Sequence, residues 1–253
     1  MSLTRCSRAT GVQGTPNQAL QRTAGAGPVP REFKLAVAPA AAELGRSAAE
    51  CLVKAELASA LIDLQATEAS KRLAASRVIE RAARMVSNEV RQKAMGRRAV
   101  TGALTKALGD TDTKVVQNAI IAVAEISRRY FKDDRVYPSV VRLLGSPDQL
   151  TRLWAASAAV VLREGASLPD VSPLVRDRSA KVRAEVVRLA LGLAVHTDLS
   201  VAARSELRAM AAVATDDKDR QVQEFAANLM RALETPSRQR SEAEPGAAAD
   251  GGA

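Results

Sequence analysis

Aromatic residues are nearly missing from this chain: three Phe, two Tyr and one Trp stand among 253 residues. Sandwiches and barrels usually fill their cores with aromatic and β-branched bulk, so the scarcity argues against both. Histidine occurs once, at His196, which leaves imidazole-based metal sites and His-containing triads little to work with. The two cysteines, Cys6 and Cys51, lie far apart, with no Cys-x-x-Cys pair and no disulfide framework. That usage suits a reducing compartment, and a cytoplasmic location is the expectation. The longest apolar run near the start, "LAVAPAAA" (35–42), is too short to span a membrane and contains Pro39. It also begins too late for a typical secretory leader. Neither a GxxxxGK[ST] phosphate loop nor a GxGxxG following a strand occurs. The acidic stretches "DTD" (110–112) and "DDKD" (216–219) lack the length and terminal Glu of a calcium-binding loop, and read as turns and helix caps. No cofactor and no metal is expected.

What is present is small and aliphatic. Apolar residues make up 47% of the chain, and Ala, Val and Leu must supply the packing. Small side chains let helices approach closely, so an all-α fold is expected. The formal net charge is +9, with the basic excess at the N-terminal end: residues 1–40 hold five bases and one acid, and residues 41–100 eleven bases and seven acids. Such a bias suits a solvated surface, an acidic protein, an anionic membrane surface or nucleic acid. Residues 1–40, rich in Gly, Pro, Thr and Ala, read as a disordered or non-native extension, with four arginines and no acid before Glu32 as in an organelle leader. The end, "TPSRQRSEAEPGAAADGGA" (235–253), reads as a disordered tail. The repeat domain is expected over residues 41–234.

Within that domain one pattern recurs. The segments "LQATEASKRLAASRVIERA" (64–82), "LGDTDTKVVQNAIIAVAEI" (108–126), "LGSPDQLTRLWAASAAVVL" (144–162) and "VRDRSAKVRAEVVRLALGL" (175–193) align without gaps. "ATDDKDRQVQEFAANLMRAL" (214–233) joins them with one inserted residue. Each is an apolar helix end, a polar turn, Val-Arg or a variant, two spacer residues, a small pair and an apolar pair. The second residue of the Val-Arg unit falls at Arg72, Val116, Arg152, Arg183 and Gln223. A spacing of this size marks stacked helix pairs. Ser146 reads as an N-cap with Pro147 at the first helical position, and Asp112 and Ser179 as N-caps of equivalent helices. One helix pair cannot hide both of its apolar faces, whereas pairs stacked side by side can. The expected architecture is an α-solenoid of about five antiparallel helix pairs.

The pattern resembles the HEAT repeat over roughly residues 57–233. HEAT first helices often carry a proline six residues before their last leucine, as Pro138 precedes Leu144 and Pro169 precedes Val175. The other copies lack it, and the 31-residue step between Arg152 and Arg183 implies a shortened first helix near 168–175. The resemblance further implies that the arginines at the shared position bond an aspartate in the neighbouring turn, with Asp110 and Asp177 at that position and Ser146 replacing it in the middle copy. It also implies that second helices line the concave face.

On that face the spacer positions are expected to meet solvent: Leu73 and Ala74, Gln117 and Asn118, Leu153 and Trp154, Ala184 and Glu185, Glu224 and Phe225. One turn later come Arg77, Ile121, Ser157, Arg188 and Asn228. Asn118, Ile121, Leu153, Trp154, Arg188 and Phe225 are the candidate partner contacts. Trp154 is the natural anchor, because Trp buries much area at little entropic cost. "LWAASAAVVL" (153–162) is apolar all round, so it is either covered by neighbouring elements or meets a partner. The segment "RVIERAARMVSNEVRQKAMGRR" (77–98) carries seven bases against two acids. Arg77, Arg81 and Arg84 share one helix face there, and with Arg91 and Lys93 they are candidates for contact with anions or nucleic acid. No aromatic residue is interleaved for base stacking. The expected function is non-catalytic protein or peptide binding, with an acidic partner as one form of it. The alternative is a nucleic-acid-binding HEAT-like protein, such as the DNA glycosylases for alkylated bases that share this type of fold.

Overall fold

The computed structural model describes residues 55–84 and 97–234, all within the unit that begins at Leu52. The expected extension 1–40, the boundary at residue 41, the tail 235–253, and Arg91 and Lys93 lie outside the described residues. Every element is helical, and no strand occurs among the described residues.

The helices fall into five pairs. Helix α1 (55–63) pairs with α2 (Ala69–Arg84), and α3 (Arg97–Ala107) with α4 (Thr113–Arg129). Helix α5 (Tyr137–Leu143), entered through a 3-10 turn at Asp134–Val136, pairs with α6 (Gln149–Arg163). In the fourth pair the first helix is broken, as the 31-residue step implies. A 3-10 turn Glu164–Ser167, the single turn α7 (Leu168–Val171) and a second 3-10 turn Ser172–Arg176 precede α8 (Ala180–His196). Pro169 and Pro173 each remove a backbone donor there, which suits short 3-10 pieces better than one continuous helix. Helix α9 (Val201–Thr215) pairs with α10 (Arg220–Glu234).

The second helices stack in chain order, α2 on α4, α4 on α6, α6 on α8 and α8 on α10, and from the second pair on the first helix or its 3-10 equivalent packs on its own second helix. One core runs through all five pairs. Ile79, Ile120, Val140, Leu168, Leu207 and Leu229 are among its fully buried members, each contributing roughly 2 kcal/mol of burial. Ala155, Ala156, Ala158 and Ala159 of α6 are likewise shut off from water. This explains most of the all-apolar segment 153–162: neighbouring repeats cover it, and alanine lets them come close.

All five pairs use the same turn between their helices. Asp112 caps α4 as expected, accepting from the Lys114 N–H at 2.8 Å. Ser179 occupies the N-cap of α8 without a capping bond, and its hydroxyl donates to Gln149 instead. The expected cap at Ser146 is corrected: Asp148 caps α6, accepting from the Thr151 N–H at 2.7 Å, and Pro147 stays in the turn. Ser146 Oγ accepts instead from the Asp148 N–H.

Candidate protein-binding face

Along the turns, a row of ion pairs joins one repeat to the next. Arg72 gives its Nε to Asp110 at 2.6 Å and its Nη2 at 3.1 Å, while Nη1 donates to the Ala66 and Thr67 carbonyls of its own turn. Arg152 does the same with Asp177, at 2.7 and 2.8 Å, and with the Ser146 and Pro147 carbonyls. Arg183 repeats it with Asp217, at 2.6 and 2.7 Å, and with the Asp177 carbonyl. Each aspartate also accepts the N–H two residues on, from Asp112, Ser179 or Asp219. These charge-assisted bonds hold Asp110 and Asp217 below the usual carboxylate range, chiefly through the arginines. At Asp177 burial pushes upward, but Arg152 and the Ser179 N–H outweigh it and the carboxyl is again lowered. The arginines are therefore structural, which matches what the resemblance to HEAT repeats implies for Arg72, Arg152 and Arg183. Asp217 was not singled out in the sequence; its signal was the acid at the turn position of "DDKD".

One rung is missing. Val116 stands at the position that Arg72, Arg152 and Arg183 occupy in their repeats, and the turn facing it carries Ser146 where those three arginines meet Asp110, Asp177 and Asp217. A substitute lies one residue along: Gln117 Nε2 donates to Asp148 at 2.9 Å. A cleft of about 470 Å³, lined in part by Val116, Ser146, Thr113 and Arg142, opens beside this joint.

The Gln117 bond exposes an error in the expected solvent face. The first spacer position points at the next repeat. Gln117 and Ala184 are buried there, Leu73 and Leu153 are half-buried against the core, and only Glu224, in the last described pair, is exposed. Ser157 is also buried. The second helices stack so closely that these side chains have no room to face water.

The open surface is instead five parallel stripes, one per second helix. On α2 it holds Ala74, Arg77, Arg81 and Arg84, all exposed. On α4 it holds Lys114, Asn118, Ile121 and Glu125, the last three partly covered. Leu150, Trp154 and Val161 form the stripe of α6, Lys181, Glu185 and Arg188 that of α8, and Gln221, Phe225 and Asn228 that of α10. The structure thus brings Asn118, Ile121, Trp154, Arg188 and Phe225 to one surface. Trp154 and Phe225 rest partly on the core and Arg188 is exposed. Asn118 is tied across the repeat boundary, donating to Ser76 Oγ at 2.9 Å. Arg84 pairs with Glu80 of its own helix, whereas Arg77 and Arg81 have no carboxylate partner among the described residues.

The opposite edge carries features that sequence reasoning missed. Tyr137 is buried and donates to Asp170 at 2.7 Å, and the Arg163 guanidinium lies 3.9 Å from its ring centroid. Burial, then the bond to Asp170, pushes the phenol upward. Glu164 adopts a φ of 50°, rare for a residue with a side chain, and its carboxylate accepts from Lys132 at 2.5 Å. No motif marks either. Among the described residues no cluster of His, Cys, Asp or Glu is arranged to hold a metal, and no helix is long and apolar enough to cross a membrane.

The family description "HEAT repeats" matches residues 101–192. Residues 101–192 are HEAT repeats. Solved structures extend the likeness to most of the described array. A designed armadillo repeat protein in complex with the peptide (KR)4 is 17% identical, with a TM-score of 0.55, covering 70% of this chain and 81% of the other. An archaeal HEAT-like repeats protein from Thermococcus onnurineus NA1 is 14% identical, with a TM-score of 0.51 and 70% of both chains covered. An engineered protein is 19% identical at a TM-score of 0.54, over 70% of this chain and 78% of the other. No match is found among curated proteins. The described array is thus an all-α solenoid.

Proposed function

We propose that this HEAT-repeat array is a binding scaffold that takes up a protein or peptide on its second-helix face. The observation that carries the reading is the stripe of α6. Leu150, Trp154 and Val161 leave an uncharged, partly open apolar strip between the cation-bearing stripes of α4 and α8. A surface serving only solubility would carry Lys and Glu there. A half-buried Trp resting on a rigid core has the character of a binding anchor. Ile121 on α4 extends the apolar surface to one side, and Phe225 on α10 adds a separate apolar point beyond the charged stripe of α8. Peptide recognition by a designed armadillo repeat protein of the same fold class is in keeping with this use.

Selection from a random displayed-peptide library tests the reading. Binders are expected to weaken on Trp154→Ala by about 2 kcal/mol or more. They should be unaffected by a substitution at an exposed first-helix position such as Arg208. Selected peptides indifferent to both Trp154→Ala and Ile121→Ala would overturn it.

A further inference from the structure

We infer that the occupant of this face is an extended acidic segment of another protein, which seats an apolar side chain on Trp154 and directs carboxylates toward Arg77 and Arg81. The inference rests on the face being the binding surface. It is carried by which charges the fold has already spent. The helix-borne carboxylates in and beside the stripes are engaged by arginines of their own helices: Glu80 by Arg84, Glu125 by Arg128 and Arg129, Glu185 by Arg188, Glu224 by Arg220. The cations are not balanced in the same way. Arg77, Arg81 and Lys181 are exposed and have no carboxylate partner among the described residues, and Lys114 reaches only the amide oxygen of Gln117, at 3.4 Å. An incoming carboxylate therefore meets uncommitted cations, whereas an incoming ammonium meets carboxylates already neutralised and cations that repel it.

The chain's own ends fit poorly. Residues 1–40 are basic, and residues 235–253 hold two bases against three acids. Charge complementarity thus favours a segment from another molecule. Its length follows from the stack. Packed helices lie roughly 8–10 Å apart, and an extended chain covers roughly 3.3 Å per residue. Two helix-to-helix spacings, with α4 between, separate the α6 anchor from the α2 arginines, so the acids should lie about five or six residues from the apolar side chain.

The single tryptophan makes Trp154 its own reporter. The full chain is titrated with the peptide EEESGSSLSSGSEEE, whose symmetry covers both chain directions, and with its counterpart carrying Lys for every Glu. The acidic peptide is expected to shift Trp154 emission saturably, and its affinity to fall by about tenfold or more at about 0.5 M salt. A loss of similar size is expected in an Arg77→Glu/Arg81→Glu variant whose circular dichroism matches wild type, with a smaller loss for Arg77→Ala/Arg81→Ala. Equal or tighter binding of the Lys peptide would overturn the inference. So would acidic-peptide affinity unchanged by charge reversal. Duplex DNA binding that is lost on charge reversal, with no Trp154 response to the acidic peptide, would overturn it in favour of nucleic acid. Selected peptides that are neutral or basic yet depend on Trp154 would sink the charge preference and leave the face intact; selected peptides that bind elsewhere would sink the face itself.

Discussion

Arg152 and Asp177 have almost no contact with water, their side chains being 5% and 6% exposed. The pair is held by two direct bonds, with two turn carbonyls taking the remaining guanidinium nitrogen, so every cost of burying the charges is met locally. Removing one partner leaves the other charge stranded. Arg152→Ala is expected to destabilise by about 3 kcal/mol in urea unfolding, and the paired change Arg152→Met with Asp177→Leu by much less. The same bonds set an acid limit. Asp110, Asp177 and Asp217 are lowered by folding, and Asp133, held chiefly by Arg135, lies at about 2. A carboxyl lowered by folding stabilises the native state above its unfolded value, near 4, and that contribution is lost as pH falls through the lowered value. The melting temperature should therefore drop steeply between about pH 4 and pH 2. Replacing the three ladder aspartates with Asn should lower stability at pH 7 and flatten that drop. Asp110 and Asp177 were legible from their repeat position, whereas Asp217, at the same place in "DDKD", and Asp133 were not singled out. Tyr137 and Glu164 were not legible, because their roles depend on contacts between segments that share no spacing.

Each element's type could be read from its apolar period, but its exact surroundings could not. "SPDQ" satisfies the rules for a helix start at Ser146, and equally for one at Asp148. Only the turn geometry shared by all five repeats decides for Asp148. The first spacer position looked solvent-facing because a single amphipathic helix has a polar side. In a stack that side also holds the contact with the next helix, and Gln117 is polar because Asp148 waits for it. Two predictions belong at this scale. Ala159→Leu should cost about 1–3 kcal/mol in thermal or chemical unfolding, since α6 is closed in on that side. Val116→Arg combined with Ser146→Asp should rebuild the absent rung and stabilise by about 1 kcal/mol beyond the sum of the two single changes, measured as a double-mutant cycle.

Over the whole array, five-fold repetition made the solenoid readable where any one copy would have been ambiguous. The same repetition hides function, because it constrains the residues that stack and leaves the stripe positions free to vary. The open stripe thus emerged only once packing had removed Gln117, Ala184 and Ser157 from it. In the last described pair Gln223 takes the arginine position and donates to the Asp217 carbonyl of its own turn, at 2.6 Å.

The joint at Val116 and Ser146 has a mechanical meaning. Two described repeats precede it and three follow, and each group is laced internally by arginine rungs, while along the turns the seam between them has the Gln117 amide in place of a guanidinium. Drawn out by its ends in an optical trap, the protein should part first at this seam and give up its length in two unequal releases. In the arginine–aspartate rebuilt variant the first release should come at a higher force.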